Sequence, residues 1–394
     1  MIVFAEQIGG VVGAPPSKSA LHRRLILNRI AGRLDTPVDA CTDVQTTVEC
    51  LRLLGTDATL DCGECGAALR FLLPVSLLFG GAAFLGSDAL RARPVKPLLD
   101  ALRAHGAVID ADALPLTVRG TLNSGIYALP GNISSQFFSG LMLTLPFLDG
   151  DSTLIWTTPL ESAGYTDLTE RMLLEHGVRV ARIENGYRIF GGQKPATVDA
   201  PVEGDWSCAA AMLILGAIGG SVTVTGIDPH SEQPDRRVLD LLDQCGAHVE
   251  TGSRSVTVRR GALRGFKCNG GETPDLVPVL AALGCASEGD SVLYRLGRLR
   301  YKESDRFDAL TTLLSALGAD YETERNDTIV IHGSGSVRGG YAPVPPDHRM
   351  VMAAALLSAC AAAPVSIPHA ESVSKSYPAF FRDFVMLGGT IDAI

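Results

Sequence analysis

Apolar positions recur with helical spacing at six places along this chain, and each run ends in a glycine followed by a strand-like hydrophobe. The segments are ECLRLLGTDATL (49–60), LLDALRAHGAVI (98–109), TERMLLEHGVRV (169–180), VLDLLDQCGAHV (238–249), LTTLLSALGADY (310–321) and RDFVMLGGTIDA (382–393). Hydrophobes on one face of a 3.6-residue period predict amphipathic helices. The glycine suits the left-handed residue just past a helix end. Gly55, Gly106, Gly177, Gly246, Gly318 and Gly388 stand 51, 71, 69, 72 and 70 residues apart. A near-constant interval of that length points to internal duplication.

A second set of helices lies between these, nearly apolar all round but with polar, turn-prone starts near Ser17, Glu64, Ser134, Asp205, Pro274 and Asp347. SSQFFSGLMLTLPF, DWSCAAAMLILGAI and PDHRMVMAAALLSA are examples. Such helices are surrounded by protein except at their N-terminal tips. Each is followed by a Gly- or Pro-marked turn and a strand such as STLIWT, SVTVTG or SVLYRL. The pattern predicts an α/β (α+β) protein of two domains. Each domain would be an inside-out α/β barrel of three βαβαββ-like units, six in all, with buried helices inside sheets. The switch falls near PVEGD (201–205), giving a first domain over 15–203 and a second over 1–14 plus 204–394. The opening strand (2–12) precedes the first buried helix and is expected to complete the other domain.

Composition narrows the function. Of 394 residues, 46% are hydrophobic and 20% charged, and the net charge is −9, which suits a large apolar core. An acidic chain without a basic stripe speaks against nucleic acid or a membrane surface as partner. The start lacks the basic and long apolar regions of a signal peptide, and no apolar run is long enough to span a bilayer. Nine scattered cysteines suit a reduced, cytoplasmic setting. Cys62 and Cys65 form a lone CxxC with no second pair or histidine cluster nearby in sequence, which speaks against a metal or redox role.

Against the acidic balance, PPSKSALHRRLILNRIAG (15–32) crowds Lys18, Arg23 and Arg24 with Ser17 and Ser19 at a helix start. Cations there oppose the macrodipole unless an anion is bound. Arg70 and Arg349 stand near the starts of other buried helices, so several N-termini together suggest a small, highly anionic ligand. The loops SDALRARPVKP, LESAGYTDL, RLRYKESDRFDAL and ESVSKSYPAFF occupy equivalent places in the repeat, which should bring them to one face. Carboxylates among lysines and arginines there would suit proton transfer on phosphorylated substrates. No GxGxxG opens a helix, and there is no GxxxxGK[ST], HExxH or GxSxG.

PSKSALHR, GECGAALRF, ARPVKPLLDAL, SSQFFSGLM, KESDR, PDHRM and SKSYPAFF, in that order and spacing from Lys18 to Phe384, resemble the 5-enolpyruvylshikimate-3-phosphate (EPSP) synthase family. The resemblance implies a two-domain fold with the active site in the cleft between the domains. It also implies transfer of the enolpyruvyl group of phosphoenolpyruvate to the 5-hydroxyl of shikimate 3-phosphate, with release of phosphate. By that resemblance Lys18, Ser19, Arg23, Ser134, Ser135, Gln136, Ser162, Asp275 and Lys302 would hold shikimate 3-phosphate, with Tyr165 nearby. Lys18, Gly66, Arg93, Gln136, Arg306, Arg349 and Lys375 would hold phosphoenolpyruvate, Arg70 supporting them from behind. Asp275 would be the base and Glu303 the proton donor to C3, with Lys18 or Lys302 as an assisting catalytic group.

The same resemblance implies no metal, no cofactor, a cytoplasmic monomer and glyphosate in the phosphoenolpyruvate site beside Gly66. Four departures bear on affinity and inhibitor response more than on reaction type. Cys65 precedes Gly66, Ala67 replaces the usual Thr, Ala163–Gly164 replaces a frequent Lys–Pro, and Arg298 stands where Asn is common. Two rival readings remain open at this point. One is the sister transferase acting on UDP-N-acetylglucosamine, disfavoured because AAFLGSDALRARP (82–94) lacks its reactive cysteine. The other is an inactive anion-binding paralogue, disfavoured because Lys18, Asp275 and Glu303 are all present.

Overall fold

The structure, a computed structural model, describes residues 1–392. Residue 393 of the sixth repeated segment and the tail of the domain expected over 204–394 lie outside the described residues. The chain divides into two compact units, one of Lys18–Val202 and one of Met1–Ser17 with the chain from Glu203 onward. Each has its own apolar core.

In the Lys18–Val202 unit the helices longer than one turn are α1 (Lys18–Ile30), α2 (Thr42–Leu53), α3 (Gly66–Ser76), α4 (Lys96–Ala104), α5 (Ser135–Met142) and α6 (Gly164–Glu175). All of α3 but Ala67 and all of α5 but Gln136 is buried, whereas α4 buries only Leu98, Leu99 and Leu102. The uniform and the one-sided apolar patterns thus become interior and covering helices respectively. Where α3 meets α5, a Cβ on Gly140 would lie 2.4 Å from the Arg70 carbonyl oxygen. Only glycine lets the two backbones approach that closely. Two four-stranded sheets cover these helices. In the first, Thr59–Asp61 and Ala82–Leu85 pair in parallel, and Leu116–Gly120 and Ala107–Ile109 follow antiparallel. Ile126–Leu129, Ser152–Trp156, Gly186–Ile189 and Val180–Ile183 repeat that order.

The other unit contains α7 (Trp206–Gly219), α8 (Val238–Gln244), α9 (Val277–Ala286), α10 (Arg306–Leu317), α11 (His348–Leu357) and α12 (Phe380–Met386). Every residue of α9 and α11 is buried, and α7, α9 and α11 pack on one another. A fully buried large aliphatic side chain contributes about 1.5–3 kcal/mol, so Val277, Val279, Leu280 and Leu283 make α9 a central support. Three sheets surround these helices. Ile8–Gly13 pairs in parallel with Gly220–Thr225 to open the first, and Ile2–Phe4 joins Val365–Ser366 and Thr390–Asp392 in the last. The N-terminal segment therefore supplies strands at both ends of this unit.

All six glycines of the repeat have positive φ, from 75° at Gly318 to 103° at Gly106. Five of the six units carry a four-stranded sheet. The first contributes α1 and α2 but, among the described residues, no sheet of its own. The short interval of 51 residues between Gly55 and Gly106 reflects that missing stretch.

Candidate active site

In the Lys18–Val202 unit, candidate residues gather at the N-terminal ends of the buried helices. Lys18 opens α1 and donates from Nζ to Asp43 Oδ2 at 2.8 Å, Asp43 coming from the first turn of α2. Arg23 is only 2% exposed and donates to Thr169 Oγ1 at 2.7 Å, Ser139 Oγ at 3.1 Å and the carbonyls of Ser19 (2.6 Å) and Tyr165 (3.0 Å). These acceptors are all neutral, so no carboxylate among the described residues is bonded to the guanidinium. Burial pushes its pKa down to about 9. Arg24, by contrast, is paired with Glu175 at 2.7 Å.

Two guanidinium groups converge on the start of α3. A Cβ at Gly66 would meet Arg93 Nη1 at 2.7 Å and Arg70 Nη1 at 2.9 Å. Arg70 ties this corner together, donating to Gln136 Oε1 at 2.8 Å and to the Pro94 carbonyl at 2.9 Å. Ser134 caps α5, its Oγ accepting from Gln136 N at 3.3 Å, and Ser135 follows, also buried. Ser162 precedes α6, buried, with φ of +54°. That backbone conformation costs a non-glycine residue about 1–3 kcal/mol and is typical of functional positions.

The unit containing Glu203 onward gathers carboxylates instead. Arg306, 1% exposed at the start of α10, is gripped by three of them. It donates to Asp347 at 2.7 and 3.1 Å, to Asp275 Oδ1 at 2.8 Å and to Glu303 Oε2 at 2.7 Å. Lys302 Nζ also reaches Asp275 Oδ1, at 3.2 Å. Burial opposes charge on Asp275, yet Lys302, Arg306 and Arg349 outweigh it and hold the carboxyl well below its ordinary value. Burial lowers the Lys302 pKa, which Asp275 partly restores while Arg306 and Arg298 depress it further. Arg349, on α11, donates from Nη1 to the Ser207 carbonyl at 3.2 Å, and its buried Nε has no partner among the described residues. Lys375 is buried at the end of the short helical turn Ala370–Lys375.

Asp235, 2% exposed, takes a hydrogen bond from Ser207 Oγ on one oxygen and none on the other. Burial, then the Asp275 charge, raises its pKa to about 7. Asp275 faces three cations, whereas Asp235 has Arg349 and a hydroxyl, so the charge of this interacting pair rests on Asp275 and the proton on Asp235.

A model of the family described as EPSP synthase (3-phosphoshikimate 1-carboxyvinyltransferase) matches residues 56–384. The chain belongs to the EPSP synthase family. A relative from Clostridium novyi (strain NT) named 3-phosphoshikimate 1-carboxyvinyltransferase is 35% identical over 428 aligned positions, covering 99% of this chain and 98% of the relative. One of the same name from Clostridium kluyveri is 37% identical, with 98% and 96% covered. Among solved structures, EPSP synthase from Acinetobacter baumannii matches with a TM-score of 0.81 at 23% identity, covering 100% of this chain and 99% of that one. The enolpyruvyl transferase NikO from Streptomyces tendae matches with a TM-score of 0.75 at 18% identity, covering 99% and 98%. These two establish the two-domain fold of EPSP synthases and nothing finer.

Set against the sequence motifs of EPSP synthases, the geometry changes two readings. Not every polar helix start is an anion site. Asp205 caps α7, accepting from Cys208 N at 2.9 Å, and Asp347 caps α11, accepting from Arg349 N at 3.0 Å. Those two N-termini already hold a carboxylate of the chain itself. The CxxC pair is also less isolated than its sequence suggests. Cys50 lies near Cys62, that neighbour and burial pushing the Cys62 thiol up, and His22 and Asp43 stand beside Cys65. Sequence reasoning missed Asp43, Asp235 and Ser207 altogether, and took Asp205 and Asp347 only as polar helix starts. Asp43 reads locally as an ordinary first-turn acid, and its partner Lys18 lies 25 residues away. No helix among the described residues is long and apolar enough to cross a membrane.

Proposed function

We propose that the two residue sets serve one reaction, transfer of the enolpyruvyl group of phosphoenolpyruvate to the 5-hydroxyl of shikimate 3-phosphate. The observation that carries this reading is the division of chemistry between the units. Cations gather at helix starts in one, with Arg23 bonded to neutral oxygens, and interlocked carboxylates, Lys302, Arg306 and Arg349 fill the other. Both substrates are anions, and buried Arg23, bonded only to neutral oxygens, has charge to offer one of them. Ser19, Ser134, Ser135, Gln136 and Ser162 would add polar groups for shikimate 3-phosphate.

Gly66 with Arg93 would take part of phosphoenolpyruvate, since planar guanidinium forks match carboxylate and phosphate oxygens. Arg306, Arg349 and Lys375 would take the rest. The Arg306 fork is already filled by carboxylates, so a substrate anion on it displaces Glu303 or Asp275. That exchange would release Asp275 from the cation that suppresses its basicity. Asp275 then accepts the 5-hydroxyl proton as oxygen attacks C2 of phosphoenolpyruvate, and Glu303 delivers a proton to C3. The tetrahedral intermediate loses phosphate and a C3 proton to restore the enol ether, with Lys18 and Lys302 stabilising the developing charge. A monomer in the cytoplasm completes the reading, the nine free thiols suiting the compartment.

The test is product identity. Phosphorus NMR of the full chain with both substrates should show an enolpyruvyl ether of shikimate 3-phosphate and one inorganic phosphate per turnover. Turnover with UDP-N-acetylglucosamine as acceptor, and none with shikimate 3-phosphate, would overturn the reading.

A further inference from the structure

Behind Lys18, three buried side chains from three different helices converge. His22 lies one turn into α1, Asp43 in the first turn of α2, and Cys65 at the cap of α3. One donor atom from each lies within 4.8 Å of the other two, and the residues are 1%, 6% and 1% exposed. One ring nitrogen of the histidine is anchored: His22 Nδ1 and Thr47 Oγ1 lie 2.8 Å apart, and Thr47 Oγ1 is also 3.3 Å from the Asp43 carbonyl oxygen. The other, Nε2, is buried and has no hydrogen-bond partner among the described residues. With Nδ1 donating to Thr47, Nε2 presents its lone pair. A ring nitrogen fixed by a hydroxyl behind it, with its other nitrogen bare in a buried site, is how metal-binding histidines are oriented.

We propose that His22 Nε2, an Asp43 carboxylate oxygen and Cys65 Sγ form a site for a thiophilic divalent cation such as Zn2+, whose occupation takes Asp43 away from Lys18. Imidazole, carboxylate and thiolate are the donor set of zinc, and three protein ligands leave a fourth position for water. Tetrahedral zinc at about 2.0–2.3 Å from each donor asks these side chains to close by roughly an ångström. Binding takes the thiol proton from Cys65 and releases it to solvent. Thiolate and carboxylate then balance the two charges of the ion, and Lys18, expelled from Asp43, turns toward solvent. The imidazole serves as a ligand in its neutral form, through the nitrogen that carries the lone pair. Loss of the Asp43 contact would disorder the Lys18 ammonium and slow turnover. That consequence rests on the function proposed above, whereas the site itself does not.

Cobalt(II) is the probe. Titrated into chelator-stripped, reduced full-length protein, it should bind at one equivalent with tetrahedral d–d bands and a thiolate-to-cobalt charge-transfer band, both bleached by Zn2+. Cys65→Ser should lose the charge-transfer band while Cys62→Ser and Cys360→Ser retain it, and His22→Gln should bind Co2+ at least tenfold more weakly. Thermal unfolding of each variant checks its fold, and His22→Gln carries the test if Cys65→Ser does not fold. Absence of the band in wild type below millimolar Co2+, its survival in folded Cys65→Ser, or undiminished binding by His22→Gln would overturn the site. None of these readouts needs turnover, so the site can fail while the transferase reading stands. If both hold, Zn2+ slows phosphate release by wild type at least fivefold more than by His22→Gln.

Discussion

A methyl group at Gly66 would sit 2.7 Å from one guanidinium nitrogen and 2.9 Å from another. Gly66→Ala should therefore push Arg93 away from the start of α3 and raise the KM for phosphoenolpyruvate by about tenfold, some 1.4 kcal/mol, with a smaller effect on the KM for shikimate 3-phosphate. Steady-state kinetics with each substrate varied checks this, and equal rises in both would place the damage elsewhere. Glyphosate should inhibit the parent chain through the same corner, and an unchanged rate at millimolar inhibitor would contradict that. The Asp235 proton gives a second prediction. Its folded pKa is raised to about 7, so between pH of about 4, where an unfolded aspartate titrates, and about 7 the folded chain binds more protons than the unfolded one. The stability this proton gives is complete below that window and is lost as pH rises through it, at up to about 1.4 kcal/mol per pH unit. Asp235→Asn, which stays neutral, should flatten that slope in denaturant unfolding measured at pH 4.5, 5.5 and 6.5.

At the level of helices and strands, the repeat and the division into interior and covering helices could be read from the chain. The cause is local: burial on all sides or on one is written in the spacing of hydrophobes, and the ending glycines require positive φ. What could not be read joins distant places. Arg306 finds Asp275 and Asp347 31 and 41 residues away, and Lys18 finds Asp43 across a loop that carries no motif. Candidate residues such as Arg93 and Lys375 could be placed only by likeness to a family, because nothing in their own segments shows what they face. The missing first sheet left one trace, a single short interval among six glycines. The α3–α5 contact yields a prediction of its own. Gly140→Ala places a carbon 2.4 Å from a backbone oxygen, which cannot swing aside as a side chain can. Unfolding in urea should show a loss of about 1–3 kcal/mol with little change in m-value. A neutral result would mean that the two helices part without strain.

For the whole molecule, the account is that two units with separate cores bring different chemistry to one reaction: anion-holding cations from Lys18–Val202, acid–base groups from the other. On that account each unit would be necessary and neither sufficient. The most direct measurement is phosphate release by the wild-type chain, by Lys18→Met and by Asp275→Ala, with both substrates present and with each omitted in turn. The account predicts release only when shikimate 3-phosphate and phosphoenolpyruvate are both supplied, and a fall of at least a hundredfold in either folded variant, the range expected for losing a positioned proton-transfer or charge-stabilising group. Release that persists without shikimate 3-phosphate, or that survives either substitution within a few fold, would contradict it.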